Sequence, residues 1–147
     1  MPKIKIYTDG ACSYNPGPGG WGAILIYDEH KKILSGYHES TTNNQMELTA
    51  VIEALSALKK ECDITIYTDS MYVKNGITDW IENWRKNGWK TSSKKPVKNV
   101  ELWKKLYELT LIHNIDWEWV KGHAENIFNN EADLLAREEI LKYNKKN

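Results

Sequence analysis

Two stretches of the chain close on almost the same residues: Ile4-Lys5-Ile6-Tyr7-Thr8-Asp9-Gly10 and Ile64-Thr65-Ile66-Tyr67-Thr68-Asp69-Ser70. Each alternates apolar and polar positions, is rich in Ile and Tyr, and meets a break signal directly after the aspartate, which is the pattern of a β-strand. Each strand therefore delivers a carboxylate at its C-terminal edge. If the two are parallel neighbours, both aspartates lie at the rim where α/β sheets hold their ligands, and two anions crowd there only around a cation. A single strand ending in Asp usually just opens a loop, because aspartate is a turn residue. The repetition is what points to a metal.

A third carboxylate strengthens the case. In Thr42-Asn43-Asn44-Gln45-Met46-Glu47-Leu48, Thr42 followed three residues later by Gln45 has the form of a capping box, so a helix is predicted from Asn43 to Lys60. At 100° per residue Ala50, Val51, Ala54 and Leu58 share the stripe of Glu47, while Thr49, Glu53, Ser56 and Lys60 take the opposite face. Glu47 thus points at the core. A first-turn Glu suits the helix dipole, which explains its place along the axis but not its face. A buried carboxylate has to be paired, protonated or metal-bound. Asp133, in Asn129-Asn130-Glu131-Ala132-Asp133, shares a stripe with Ala136 and Ile140 but also with Arg137, so its direction stays open.

With 147 residues the chain has the length of one domain with a real core. Two cysteines, Cys12 and Cys62, are too few for a disulfide framework or a zinc site. The start Met-Pro-Lys lacks a signal peptide's apolar stretch and no run reaches the length of a membrane span, so a cytoplasmic setting away from membranes is expected. Net charge is zero, but it is unevenly spread. Between Trp84 and Asn99 lie Arg85, Lys86, Lys90, Lys94, Lys95 and Lys98 with no acid, leaving 14 basic against 20 acidic groups elsewhere. A basic lobe at about residues 80–99 on an acidic body fits a phosphate backbone. A lysine-rich loop is often only solvated surface, and Trp80 and Trp84, at i and i+4, are able to pack a helix on the core. Tryptophans interleaved with lysines also suit a surface that grips a nucleic-acid strand.

Trp21 to Asp28 and Lys32 to His38 read as strands joined by Glu29-His30-Lys31, giving an antiparallel meander with the first strand. Short helices near Tyr72 and from Thr78, a helix Val100–Leu111, a strand Ile115–Val120 and a closing helix Asn129–Tyr143 follow. The sum is a single α/β domain with a five-stranded mixed sheet flanked by helices. The glycines at 17–20 lack the spacing of a phosphate-binding loop and are read as a turn holding Asn15 near Asp9.

Tyr-Thr-Asp-Gly at 7–10, Asn-Pro-Gly-Pro-Gly-Gly at 15–20, Thr-Thr-Asn-Asn with Met-Glu-Leu at 41–48, Thr-Asp-Ser at 68–70, Lys-Lys-Pro-Val-Lys-Asn at 94–99 and Trp-Val-Lys-Gly-His at 119–123 resemble bacterial type 1 ribonuclease H. The match runs through nearly the whole chain in order. The resemblance implies the ribonuclease H-like fold, antiparallel in strands one to three and parallel in the last two. It implies cleavage of the RNA strand of RNA–DNA hybrids by two Mg²⁺ ions about 3.5 to 4 Å apart, leaving 5′-phosphate and 3′-hydroxyl ends, with Mn²⁺ as a substitute. Carried over residue by residue, it makes Asp9, Glu47, Asp69 and Asp133 the metal-binding carboxylates and His123 a mobile histidine for proton transfer or product departure. Asn15 and Asn43 match residues that contact 2′-hydroxyls and bases, Thr42 and Asn99 a DNA-phosphate pocket, and Trp80 and Trp84 the DNA-strand channel. Lys86, Lys94, Lys95 and Lys98 belong to the family's basic handle.

Three departures bear on affinity and rate rather than reaction type. Met71 stands where the family often has Gln, Ser40 replaces a frequent Arg, and Ala124-Glu125-Asn126-Ile127-Phe128 lacks the usual wording after the histidine. Two other readings remain: a transposase- or resolvase-type nuclease of the same fold acting on DNA, and a hybrid-binding module without catalysis. A monomer is expected.

Overall fold

The computed structural model describes residues 1–120 and 126–146. Five strands, β1 (Lys3–Cys12), β2 (Gly17–Tyr27), β3 (His30–Thr41), β4 (Asp63–Thr68) and β5 (Asn114–Trp119), form one sheet in the order β3-β2-β1-β4-β5. β1 to β3 are antiparallel neighbours, whereas β4 runs parallel to β1 and β5 parallel to β4. Helix α1 (Asn43–Ser56) follows the meander; α2 (Met71–Asn75), a π-helical turn (Gly76–Trp80) and α3 (Ile81–Lys86) follow β4. Helices α4 (Val100–Ile112) and α5 (Ile127–Lys146) bracket β5. This is the mixed sheet the sequence predicts.

Alternate residues of a strand point to opposite faces, and β1 shows how the layers use this. Ile4 and Ile6 join Leu48, Val51, Ile52 and Leu55 of α1, Ile64 and Ile66 of β4, and Trp103 and Leu106 of α4 in the main core. Tyr7, one step out of phase, instead packs with Ile24, Ala132, Phe128 and Tyr67 under α5. Fully buried Ile6, Leu48 and Ile66 each contribute about 1.5–3 kcal/mol of transfer free energy. The two helical layers therefore clamp the sheet from both sides with β1 and β4 in the middle. Trp103 has no exposed surface, lies against Gly76, and donates its indole N–H to Tyr72 Oη at 3.0 Å.

Several boundaries differ from the sequence expectation for local reasons. The two-residue connection Asp28-Glu29 joins β2 to β3, with Asp28 at φ 51° and Tyr27 paired to His30. Aspartate tolerates that left-handed conformation, so the strands need no third loop residue. Helix α1 stops at Ser56 rather than Lys60, capped at Ala57, and the chain turns to put Cys62 beside His113, whose Nδ1 accepts the Cys62 amide N–H at 3.1 Å. Gly17 to Gly20 lie inside β2 rather than in a turn.

Candidate active site

The carboxylates converge because backbone meets backbone at three glycines. β1 and β4 pair in parallel with Tyr7 opposite Tyr67, so two residues further on Asp69, just past the end of β4, comes beside Asp9; β1 does not end there as the sequence suggests but continues to Cys12, with Asp9 opposite Gly22 of β2. At Gly10 an added Cβ would lie 2.6 Å from both the Glu47 amide nitrogen and the Met46 carbonyl carbon. Only glycine lets the first turn of α1 come that close. That contact swings Glu47, buried as its helical phase predicts, over Asp9 and Gly10 of β1.

Helix α1 is aimed by its cap: Thr42 Oγ1 accepts the Gln45 amide N–H at 3.2 Å. The reciprocal half of the capping box is absent. The Gln45 side chain instead accepts from Thr41 Oγ1 at 2.8 Å and donates to Asn99 Oδ1 at 3.0 Å, and Asn99 passes the chain on by donating to Tyr72 Oη at 3.0 Å.

On the other face Ala132 and Ala136 of α5 sit against Gly22 and Gly20 of β2, where a Cβ would fall 2.6 and 2.2 Å from the carbonyl oxygens of those alanines. This seating fixes the rotation of α5 and turns Asp133 toward Asp9. The Asp133 carboxyl lines the same cavity as that of Asp9 and pairs with Arg137 Nη2 at 2.8 Å. The open direction of Asp133 is thereby resolved.

One oxygen each from Asp9, Glu47 and Asp69 lies within 4.8 Å of the others. Asp9 and Glu47 are buried, and Glu47 Oε2 has no hydrogen-bond partner among the described residues. Burial, then the Asp69 charge and the Asp133 hydrogen bond, push the Asp9 carboxyl up to about 8, although the Gly10 amide donates to its Oδ1 at 2.9 Å. Burial, then the charges of Asp9 and Asp69, raise Glu47 well above the ordinary carboxylate range. Carboxyls forced to hold protons beside an unpaired buried oxygen form an all-oxygen donor set suited to a hard divalent cation.

The cluster opens into a cavity of about 470 Å³ lined also by Asn43, Asn44, Ser70, Met71 and Tyr72. A larger groove of about 520 Å³ lies at the opposite ends of the strands, but its acids Asp28, Asp63 and Asp116 share it with Lys3 and Lys5 and, among the described residues, no carboxylate cluster forms there. Asn44, Ser70 and Tyr72 are site residues that the sequence reading misses. Ser70 carries a signal, since its hydroxyl caps α2 by accepting the Val73 amide N–H at 3.1 Å; Tyr72 carries none.

The other sequence-marked residues divide. Asn15 Oδ1 accepts the Asn43 amide N–H at 3.0 Å, bracing those two asparagines beside the cavity. Trp80 and Trp84 stack in a tilted pair at 5.7 Å, with Trp80 edge-on to Tyr72 and Trp84 edge-on to Trp103, so Trp84 also supports the core. The basic lobe is α3 followed by a loop anchored by buried Val97, whose amide donates to Trp89 O at 3.1 Å, while Lys86, Lys94, Lys95 and Lys98 are exposed. His123 lies outside the described residues.

The sequence pattern of the RNase H family matches residues 1–141. The chain belongs to the RNase H family. It is 60% identical over 142 residues to a Ribonuclease H of Ehrlichia canis, covering 97% of both chains. Among solved structures it resembles LC9-RNase H1, a type 1 RNase H with the type 2 active-site motif, at a TM-score of 0.87 and 31% identity over 97% of this chain and 74% of that one. It also resembles part of a foamy viral protease-reverse transcriptase solved in complex with an RNA/DNA hybrid, at a TM-score of 0.80 and 26% identity, covering 96% of this chain and 20% of that one. Membership in the RNase H family makes this chain an endonuclease, and among its described residues no helix is long and apolar enough to cross a membrane.

Proposed function

We propose that this RNase H hydrolyses the RNA strand of RNA–DNA hybrids at the acidic cluster, with Asp9, Glu47, Asp69 and Asp133 holding two Mg²⁺ ions. The observation that carries the reading is the convergence of three carboxyl groups within 4.8 Å around a buried Glu47 oxygen that has no hydrogen-bond partner among the described residues. Bound there, Mg²⁺ supplies Lewis-acid polarisation of a phosphate and a more acidic water; Mn²⁺ substitutes because it accepts the same oxygen donors.

The protein's own groups supply recognition. Asn43, held by Asn15 at the cavity rim, offers an amide to the 2′-hydroxyl, the group that separates RNA from DNA. Thr42 and Asn99, tied through Gln45, are assigned to a DNA phosphate, and half-buried Trp80 and Trp84 to the DNA strand. The exposed lysines of the lobe neutralise further phosphates. His123 is assigned to proton transfer or product departure on the Trp-Val-Lys-Gly-His sequence that contains it. Cleavage leaves a 5′-phosphate and a 3′-hydroxyl. A monomer in the cytoplasm, where free Cys12 and Cys62 stay reduced, completes the reading.

The test is a hybrid labelled in either strand, incubated with Mg²⁺ or EDTA beside matched RNA and DNA duplexes. RNA cut only in the hybrid and only with Mg²⁺ is expected. Cutting of the DNA duplex, or binding of the hybrid without cutting, overturns the proposal.

A further inference from the structure

Asp133 already has a cation beside it. Arg137, one turn further along α5, pairs with Asp133 Oδ2 at 2.8 Å. Among the described residues the group compact enough to hold an ion is Asp9, Glu47 and Asp69, without Asp133. Among the described residues, the other cations paired along α5 hold different acids. Lys31 pairs with Glu131 at 2.7 Å and lies over the Phe128 ring, and Lys142 pairs with Glu139.

We propose that Arg137 is a positioning residue that holds Asp133 in the metal-free protein and exchanges this carboxylate for a backbone phosphate of the nucleic acid when metal and hybrid bind. This rests on the functional reading above. The geometry supports an exchange rather than a permanent pair. The Asp133 side chain is 22% exposed and that of Arg137 60%, and ion pairs this open to water are weak. An Asp133 oxygen committed to a guanidinium is less available to a metal ion, and the positive charge repels one. A phosphate is a matched, bidentate partner for the guanidinium, so the hybrid replaces the carboxylate that Arg137 gives up. Arg137 thus makes metal binding poorer in the free enzyme and couples completion of the site to the presence of substrate.

The two halves of the exchange carry opposite signs on Arg137→Gln. Calorimetric titration of the free protein with Mg²⁺ is expected to show affinity tightened roughly three- to tenfold, the effect of removing a competing surface charge. Binding of a hybrid with a non-hydrolysable RNA backbone, measured in saturating Mg²⁺, is expected to weaken, with the log–log salt slope reduced by about 0.7 to 0.9, the signature of one phosphate fewer neutralised. Lys31→Gln is the control for bulk charge and is expected to change neither quantity, with thermal melts establishing that both variants are folded. Mg²⁺ affinity that is unchanged or weaker in Arg137→Gln, an unchanged salt slope, or an equal shift in Lys31→Gln overturns the inference. Failure of the wild-type protein to bind Mg²⁺ at all sinks the functional reading itself, which keeps the two failures apart.

Discussion

Replacing Asp9 by Asn is expected to make the metal-free protein more stable and the enzyme inactive. Asp9 holds its proton up to about pH 8, whereas the ordinary carboxyl value is 3.8. A group whose folded pKa lies above its unfolded one contributes stability that is fully present below the unfolded value and is lost as pH rises through the folded one. Between pH 3.8 and pH 7 the loss runs at about 1.4 kcal/mol per unit, which sets a ceiling of roughly 4 kcal/mol. Asp69, Glu47 and Asp133 remain after the substitution and part of the repulsion is shared with them, so a gain of about 1–3 kcal/mol is expected for Asn, which keeps the shape without the charge. For a chain of this size that is a rise in Tm of roughly 2–10 °C. The assay is a series of melts in EDTA from pH 4 to pH 8, repeated in Mg²⁺, with hybrid cleavage measured on the same samples. The gap between variant and wild type should open as pH rises. Mg²⁺ should stabilise the wild type more than the variant, and cleavage should be nearly abolished. A gap independent of pH, or wild-type turnover by the variant, refutes the reasoning.

Changing Lys94, Lys95 and Lys98 together to Ala should weaken hybrid binding and lower the salt slope by about 0.7 to 0.9 for each phosphate left without its lysine; an unchanged slope would make the lobe a solvated surface. His123→Ala should retain Mg²⁺-dependent cutting, slowed by about 10² to 10⁴, because the carboxylates remain; single-turnover rates across pH 6 to 9 check this. Burial lowers the pKa of His113, whose Nδ1 accepts from the Cys62 amide. Folded stability should therefore be full above about pH 6.5 and fall below it as the unfolded chain takes up the proton, a slope that His113→Gln should flatten in urea titrations.

Asp9 and Asp69 are legible in the sequence because two matching alternating segments, each followed by a turn residue, mark neighbouring strands; only β4 ends there, while β1 runs on to Cys12. Glu47 is legible as a charge on an apolar stripe. Asp133 is not, since Arg137 shares its stripe and the helix is oriented by a distant contact. Ala132 and Ala136 rest on the backbone of Gly22 and Gly20. Gly20 looks like a turn residue in one dimension, because nothing local separates a glycine that bends the chain from one that admits a helix. Gln45 shows the limit from another side: its cap position is readable from Thr42, but its side chain is claimed by Asn99, 54 residues away.

Crystals soaked in Mn²⁺, with anomalous differences collected at the manganese edge, show directly whether the carboxyl cluster holds a metal. A peak bonded to one oxygen each of Asp9, Glu47 and Asp69 is expected, with Glu47 Oε2 taken up by the ion. Peaks elsewhere with these three carboxyls still clustered around no ion would contradict the proposed metal site.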